Sequence, residues 1–298
     1  MAKAGLLFVG TDDGIVLFSD PGGAGRWLRI GQELRGQVVR SVWPAADTPL
    51  VVLAAVAGSG LQRSEDGGQS WRQVLDADVR SLAGHPRDAQ ALYLGTAGGD
   101  IYHSIDGGAN WQLSPPDGRP AAGVACLSVA ADNSQHLYAG LDAGSVWVSA
   151  DGGAHWASYG ARLPGAVADL AGTPAALYAL VEGVVYRTAE SGWQQVETGA
   201  EAGVALAAVA GKEPVLLLAQ PAGILRGTND GASWMPVEPA TPWEGRLTAI
   251  TAVRYHIDSA LAGTDAGQLA QSTDRGRSWQ SLKQGLPPIR SIAAARLA

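Results

Sequence analysis

Cysteine occurs once in the 298 residues, as Cys126. No intramolecular disulfide is available, and a zinc site would have to form without a cysteine cluster. Charge is scarce: Asp, Glu, Lys and Arg make up 16% of the chain, against about 25% in an ordinary soluble domain. No apolar run approaches the ~20 residues of a membrane helix, so membrane insertion is not expected. Lysine is nearly missing, 3 residues against 18 arginines, which leaves most cations able to grip a carboxylate with two parallel bonds. The net charge of −7 disfavours nucleic acid, because that binding rests on clustered cations neutralising phosphates. Only Leu6–Val9 is apolar near the N-terminus, and a secretory leader needs ~7–15 such residues, so a cytoplasmic location is expected.

Catalytic and metal signatures are missing too. His85, His103, His136, His155 and His256 are scattered, with no metal-ligand spacing. There is no phosphate-cradling Gly-rich loop and no Gly-x-Ser-x-Gly elbow. No cofactor and no metal are expected. Helical periodicity is not evident either.

Glycine, in contrast, is plentiful, 40 residues or about twice the usual ~7%, and it punctuates a repeat. Ser64-Glu-Asp66-Gly-Gly68-Gln-Ser-Trp71 returns as Ser104…Asp106…Trp111, as Ser149…Asp151…Trp156 and as Ser272…Asp274…Trp279. A copy one residue shorter is Thr228-Asn-Asp230-Gly-Ala-Ser-Trp234. Two eroded copies run from Thr188 to Trp193 and from Ser19-Asp20 to Trp27. The ladder Trp27, Trp71, Trp111, Trp156, Trp193, Trp234, Trp279 has gaps of 44, 40, 45, 37, 41 and 45. Such a spacing, about 42 residues, suits a propeller blade of four strands.

Each period reads alike. In the third, Val79–Ala83 is a strand, Gly84–Asp88 a turn, Ala91–Leu94 a second strand, Ile101–Ser104 a third and Trp111–Leu113 a fourth. The chain begins at a second strand, Leu6–Val9, and ends on a first strand, Ile289–Ala293. The expected fold is therefore all-β: a seven-bladed propeller of four-stranded antiparallel blades, one domain over residues 1–298. The C-terminal strand should pair with the N-terminal blade, which is built from 289–298 plus about 4–30. Closure removes the open edges that invite aggregation.

The Ser/Thr-x-Asp-x-Gly-x-x-Trp pattern resembles the Asp-box, or BNR repeat, of sialidases, sortilin-type receptors and photosystem II assembly-factor propellers. The residue types suit a stapled turn: Asp accepts backbone N–H groups, Gly takes positive φ, and Trp buries a large surface. Asp66, Asp106, Asp151, Asp230 and Asp274 are thus read as structural, since a residue present in every blade does not mark one site. The resemblance implies that these turns lie opposite the ligand face.

What differs between blades is more informative. Aligned first strands give Val39-Arg40-Ser41, Val79-Arg80-Ser81 and Ile289-Arg290-Ser291, with Leu127, Ala168, Ala207 and Thr248 in the same slot elsewhere and Arg246 two residues before the last. Arg40, Arg80, Arg246 and Arg290 should form an arc over half the channel mouth, and Asp169 is polar on the other half. Turns on that face carry Asp12, Asp13, Asp142, Glu182 and Asp265. Two readings stay open. The arginines form an ion-pair ring, with Asp12 and Asp265 as partners, or they bind a carboxylate, a phosphate or an acidic peptide end.

Sialidase chemistry is the enzymatic rival. That resemblance implies six blades and an early Arg-Ile-Pro element, whereas this chain has seven periods and only Arg162-Leu-Pro164 in mid-chain. Tyr93, Tyr138 and Tyr178 hold equivalent strand positions and read as core. Trp43, Trp147 and Trp243 fall outside the ladder, Trp243 between blades six and seven. The expected role is a non-enzymatic, monomeric binding or assembly scaffold for a protein or anionic ligand. A glycan-binding propeller and a divergent sialidase-like glycoside hydrolase are the alternatives.

Overall fold

The computed structural model describes residues 4–23, 25–45, 48, 50–85, 88–114, 122–130, 133, 135–199 and 201–297. These hold seven four-stranded antiparallel sheets and no helix. Blade 2 is representative: its inner strand is Val39–Pro44, followed by Val52–Val56, Gly60–Ser64 and the outer strand Arg72–Leu75. The inner strands of blades 3 to 7 are Val79–His85, Val124–Val129, Val167–Gly172, Ala205–Val209 and Leu247–Ala252. Blade 1 takes its inner strand, Ile289–Arg296, from the far end of the chain. That strand pairs with Gly5–Thr11 from Gly5↔Arg296 to Thr11↔Ile289, so the ring is closed as the period count required.

Burial explains the order of the strands. Second strands such as Val52–Val56 and Leu177–Val181 are buried at every residue, and outer strands are mostly exposed. The core is not one mass but seven clusters of buried side chains, one per seam between blades. Each cluster takes one member of the tryptophan ladder: Trp27, Trp279, Trp71, Trp193, Trp234, Trp111 and Trp156 respectively. The blades approach most closely where a second-strand glycine faces the first residue of the next inner strand. A Cβ on Gly95 would lie 2.3 Å from Val124, and one on Gly263 would lie 2.5 Å from Ile289.

The strands of blade 3 run longer than their sequence pattern. Pairing continues past a register break after Gly84 to His85↔Asp88, and Gly84 sits under the Trp43 ring, which would lie 2.3 Å from a Cβ there. Pro86 and Arg87 of the expected turn lie outside the described residues, as do Ala24 and Ala298 of the expected first blade.

Four repeat turns share one set of bonds. Ser64 Oγ donates to Asp66 Oδ1 at 2.8 Å and accepts the Gly68 N–H at 2.8 Å. Asp66 Oδ1 accepts the N–H groups of Gln69 and Ser70, both at 2.9 Å. The serine, the carboxylate and the main-chain N–H donors recur around Asp106, Asp151 and Asp274. These bonds favour the ionised acid and hold Asp66, Asp106 and Asp151 down at about 2. Asp230 behaves differently. In its shortened turn the carboxylate crosses the seam to Arg187 and to Thr173 Oγ1, the latter at 3.0 Å.

Candidate functional site

Six of the inner strands begin with a distortion, and it aims the channel side chains. In blade 2 the register steps from Val39↔Val56 to Ser41↔Ala55, which leaves Arg40 as the extra residue of a bulge. The same step isolates Arg80 in blade 3 and Arg290 in blade 1. Ala125, Ala168 and Thr248 are the bulged residues of blades 4, 5 and 7. The alignment by sequence alone puts Leu127 and Ala207 in that slot. The structure puts Ala125 there in blade 4, two residues earlier, and Val204 in blade 6, where Ala205↔Ala219 opens the pairing. The shift of two in blade 4 preserves the face of the strand, so alternation could not detect it, whereas the shift of three in blade 6 does not.

These residues line an axial cavity of about 410 Å³. Arg290, Arg40 and Arg80 stand side by side on its wall, followed by Ala125, Ala168, Val204 and Thr248. Arg246 is exposed just before the blade 7 inner strand and is not part of the wall. The structure therefore gathers three of the four predicted arginines.

Each of the three is matched by one carboxylate. Arg290 grips Asp12 with two bonds of 2.6 Å, Arg40 pairs with Asp78 at 2.6 Å, and Arg80 pairs with Asp142 at 2.7 Å. The bond to Arg290 lowers the Asp12 pKa, and reciprocally raises that of Arg290. Asp265 instead accepts the Arg246 N–H at 2.7 Å, and its charge adds to the rise at Arg290. Asp13 accepts the Gly36 N–H and staples a loop. Asp78 belongs to no repeated motif of the sequence, although it sits one residue before an inner strand.

The ion pairs are half-exposed, with side-chain accessibilities of 41% and 54% for Arg40–Asp78 and 37% and 42% for Arg80–Asp142. Pairs of this kind contribute only about 0–1 kcal/mol. They orient the guanidiniums without committing them, since each arginine carries five N–H donors and spends one or two here.

Two further residues shape the channel. Asp169 accepts the Leu170 and Leu206 N–H groups, both at 2.9 Å, yet crowding by protein raises its pKa to about 6. Burial dominates there, the two bonds opposing it, although the side chain keeps some solvent contact in the concave channel. Arg254, unmarked by the repeat analysis, reaches from blade 7 to blade 2. Its guanidinium lies 3.6 Å from the centroid of the Trp43 ring and donates to the Pro44 carbonyl at 3.0 Å. Surrounding protein brings its pKa down to about 10, although water still reaches it. Cys126 is buried and its thiol pKa is pushed well up by desolvation, so it is not an activated nucleophile. No group of three His, Cys, Asp or Glu able to hold a metal occurs among the described residues.

Comparison with known proteins places the fold. No family model matches the chain, and no curated protein matches it. Solved structures do match. One is "YCF48 bound to D1 peptide", at TM-score 0.61 and 17% identity, covering 82% of this chain and 81% of that one. Another is YCF48 from Cyanidioschyzon merolae, at TM-score 0.61 and 14% identity, covering 84% of this chain and 87% of that one. A third is an ancestral GH74 enzyme, at TM-score 0.64 and 16% identity, covering 94% of this chain but 55% of that one. At these identities the likeness establishes the propeller architecture and leaves the activity open.

Proposed function

We propose that this propeller is a non-enzymatic binding scaffold of the Asp-box kind, which takes a protein partner at the channel mouth through Arg40, Arg80 and Arg290. The observation that carries the reading is the shared bulge in three consecutive blades, which sets three half-exposed guanidiniums in one row. A partner carboxylate can add to the unused donors or exchange with Asp78, Asp142 or Asp12, at a cost of about 1 kcal/mol or less per opened pair. The ion-pair ring and the anion site are then two states of one surface. A structural neighbour described as bound to a peptide supports a protein partner.

A glycosidase is the second reading, favoured by the GH74 neighbour. Glycoside hydrolysis ordinarily needs two carboxyl groups flanking the bond. Among the described residues the channel wall itself carries one carboxyl, Asp169, and the three at the mouth, Asp12, Asp78 and Asp142, are each tied to an arginine, which weighs for the scaffold. The test is capture from native lysate by the immobilised wild-type protein beside an Arg40→Gln/Arg80→Gln/Arg290→Gln variant of equal Tm. A protein retained only by the wild type, and released by salt, supports the proposal. Equal retention by both rejects it, and turnover of a glycoside panel would transfer the reading to an enzyme.

A further inference from the structure

The seven seams are not alike on the face that carries the repeat turns. In five of them a turn glycine of one blade packs onto a large side chain of the blade before it. Gly68 meets Leu17 at 3.1 Å, Gly108 meets Leu53 at 2.8 Å, Gly153 meets Tyr93 at 3.2 Å, Gly231 meets Tyr178 at 3.0 Å and Gly276 meets Leu217 at 2.4 Å, measured from where a Cβ would stand. In those seams a piece of peptide main chain plugs the outer end. The two seams without this plug are the ones whose turns are eroded, in blade 5 and blade 1. At each a cavity opens: about 170 Å³ beside Tyr138 at the blade 4–5 seam, and about 470 Å³ beside Leu261 at the blade 7–1 seam.

Blade 1 has lost the turn for a clear reason. Counting along the sheet from the bulge, the slot of Ser64 is filled by Phe18, and the hairpin continues two pairs further, through Leu6↔Ser19 to Gly5↔Asp20. Gly22 and Gly25 of the loop that follows would meet nothing within 4 Å of a Cβ, and Gly23 and Gly25 line the cavity rather than plug it. Trp27 remains in the seam core, its ring lying over Gly5. Its indole N–H is buried without a partner. In the plugged seams Trp71, Trp111 and Trp234 donate this hydrogen to the turn carbonyls of Gly68, Gly108 and Gly231 at 3.0, 3.2 and 2.8 Å. The same donor is unpaired at Trp156 and Trp279, so the orphan alone selects nothing. The missing turn together with the larger of the two cavities, about 470 Å³ against about 170 Å³, is what singles out this seam.

The rim is polar. Tyr255, His256, Gln271, Thr273 and Arg296 line it. Arg296 and Asp20 flank Gly5 in one row of the sheet, since Gly5 pairs with both. One cation and one anion leave the site without net charge, which suits an uncharged, amide-rich occupant. Arg296 makes no salt bridge among the described residues and is exposed, so it can donate to a carbonyl. Arg296 and Arg290 sit at opposite ends of the same inner strand, so this cavity is on the face away from the arginine arc.

We propose that the blade 7–1 seam is a second binding site, and that it takes a short stretch of peptide main chain from a partner in place of the missing turn. The fit is the one that the chain itself makes at its five plugged seams. The main chain would pack on Leu261 and the Trp27 ring as the turn glycines pack on their neighbours, and Arg296 and Gln271 would take carbonyl and amide groups at the rim.

The test uses the full chain and capped triglycine, acetyl-Gly-Gly-Gly-amide, as the probe. The ten indole N–H signals of the ten tryptophans are followed by NMR, with Trp27 assigned through Trp27→Phe. The Trp27 signal should move saturably with a midpoint in the millimolar range expected for so small a ligand, while those of Trp71 and Trp111 stay still. Thr273→Trp, which fills the rim at an exposed position, should abolish the movement at unchanged Tm, and Arg296→Gln should weaken binding about threefold or more. A stationary Trp27 signal up to about 50 mM probe, or one that moves equally in the Thr273→Trp protein, overturns the proposal. Free zwitterionic triglycine should bind no better than the capped form. Clearly tighter binding by the zwitterion would mean that a small charged metabolite is recognised, and would overturn the main-chain assignment.

Discussion

Ile289 offers the sharpest test of how the ring is held together. It begins the closing strand, is fully buried, and faces Gly263 of blade 7. Ile289→Ala removes three carbons, at about 0.8 kcal/mol each for transfer. The seam is tightly packed and the opposing residue is a glycine already in contact, so little can collapse into the gap. With the cavity contribution the loss should be about 3–4 kcal/mol. A melting entropy of ~2.1 cal/mol/K per residue gives the 298-residue chain about 0.6 kcal/mol/K. Tm should therefore fall by about 5–6 °C in thermal unfolding followed by tryptophan fluorescence at a fixed scan rate. The control is Ile257→Ala on the exposed loop of blade 7, where the side chain is 60% exposed and the change should stay within about 0.5 kcal/mol. If Ile289→Ala and Ile257→Ala melt together, the closing strand does not hold the ring. Deleting residues 289–298 should destabilise the whole protein, because Gly5–Thr11 would lose its inner neighbour.

Acid should loosen the repeat turns. The carboxyls of Asp66, Asp106 and Asp151 lie at about 2, below the ~3.9 of an unfolded Asp, so the unfolded chain takes up protons first. Their contribution is complete above about pH 4 and is lost as pH falls towards 2, and NMR titration of the three side chains checks it. Values near 3.9 would remove the turn staple from the account. Asp169 has the opposite sign. Its pKa of about 6 means that the native protein holds the extra proton between about pH 4 and 6, so stability from this group declines as pH rises through that window. Asp169→Asn should flatten that part of the Tm-against-pH curve, and an unchanged slope would refute the assignment.

The repeat made the fold legible because each blade re-uses the same tryptophan and turn glycines, and a period near 42 residues needs no long-range information. Strand identity and closure followed from where the chain starts and stops within one period. The arginine row was legible for the same reason, through Val39-Arg40-Ser41, Val79-Arg80-Ser81 and Ile289-Arg290-Ser291. The middle blades lack that marker, and the bulge adds a residue that period-2 reasoning does not see, so Leu127 was taken for Ala125. Arg246 was counted into the arc from its place two residues before the slot in the neighbouring blade, but it precedes the strand and leaves the wall to Thr248. Ser19 and Asp20 looked like a worn turn, whereas they extend a hairpin. The partners Asp78 and Arg254, and the open seam at Trp27, depend on contacts between blades and have no local signature.

The most direct measurement is the affinity of the partner retained at the channel mouth, titrated against the wild-type protein and the Arg40→Gln/Arg80→Gln/Arg290→Gln variant, with equal Tm confirmed for both. Three half-exposed charge contacts at up to about 1 kcal/mol each predict a loss of about tenfold to hundredfold, with the wild-type affinity falling as salt is raised and the variant nearly insensitive to it. Equal affinities and equal salt dependence would contradict the account and leave the three arginines as a structural ring.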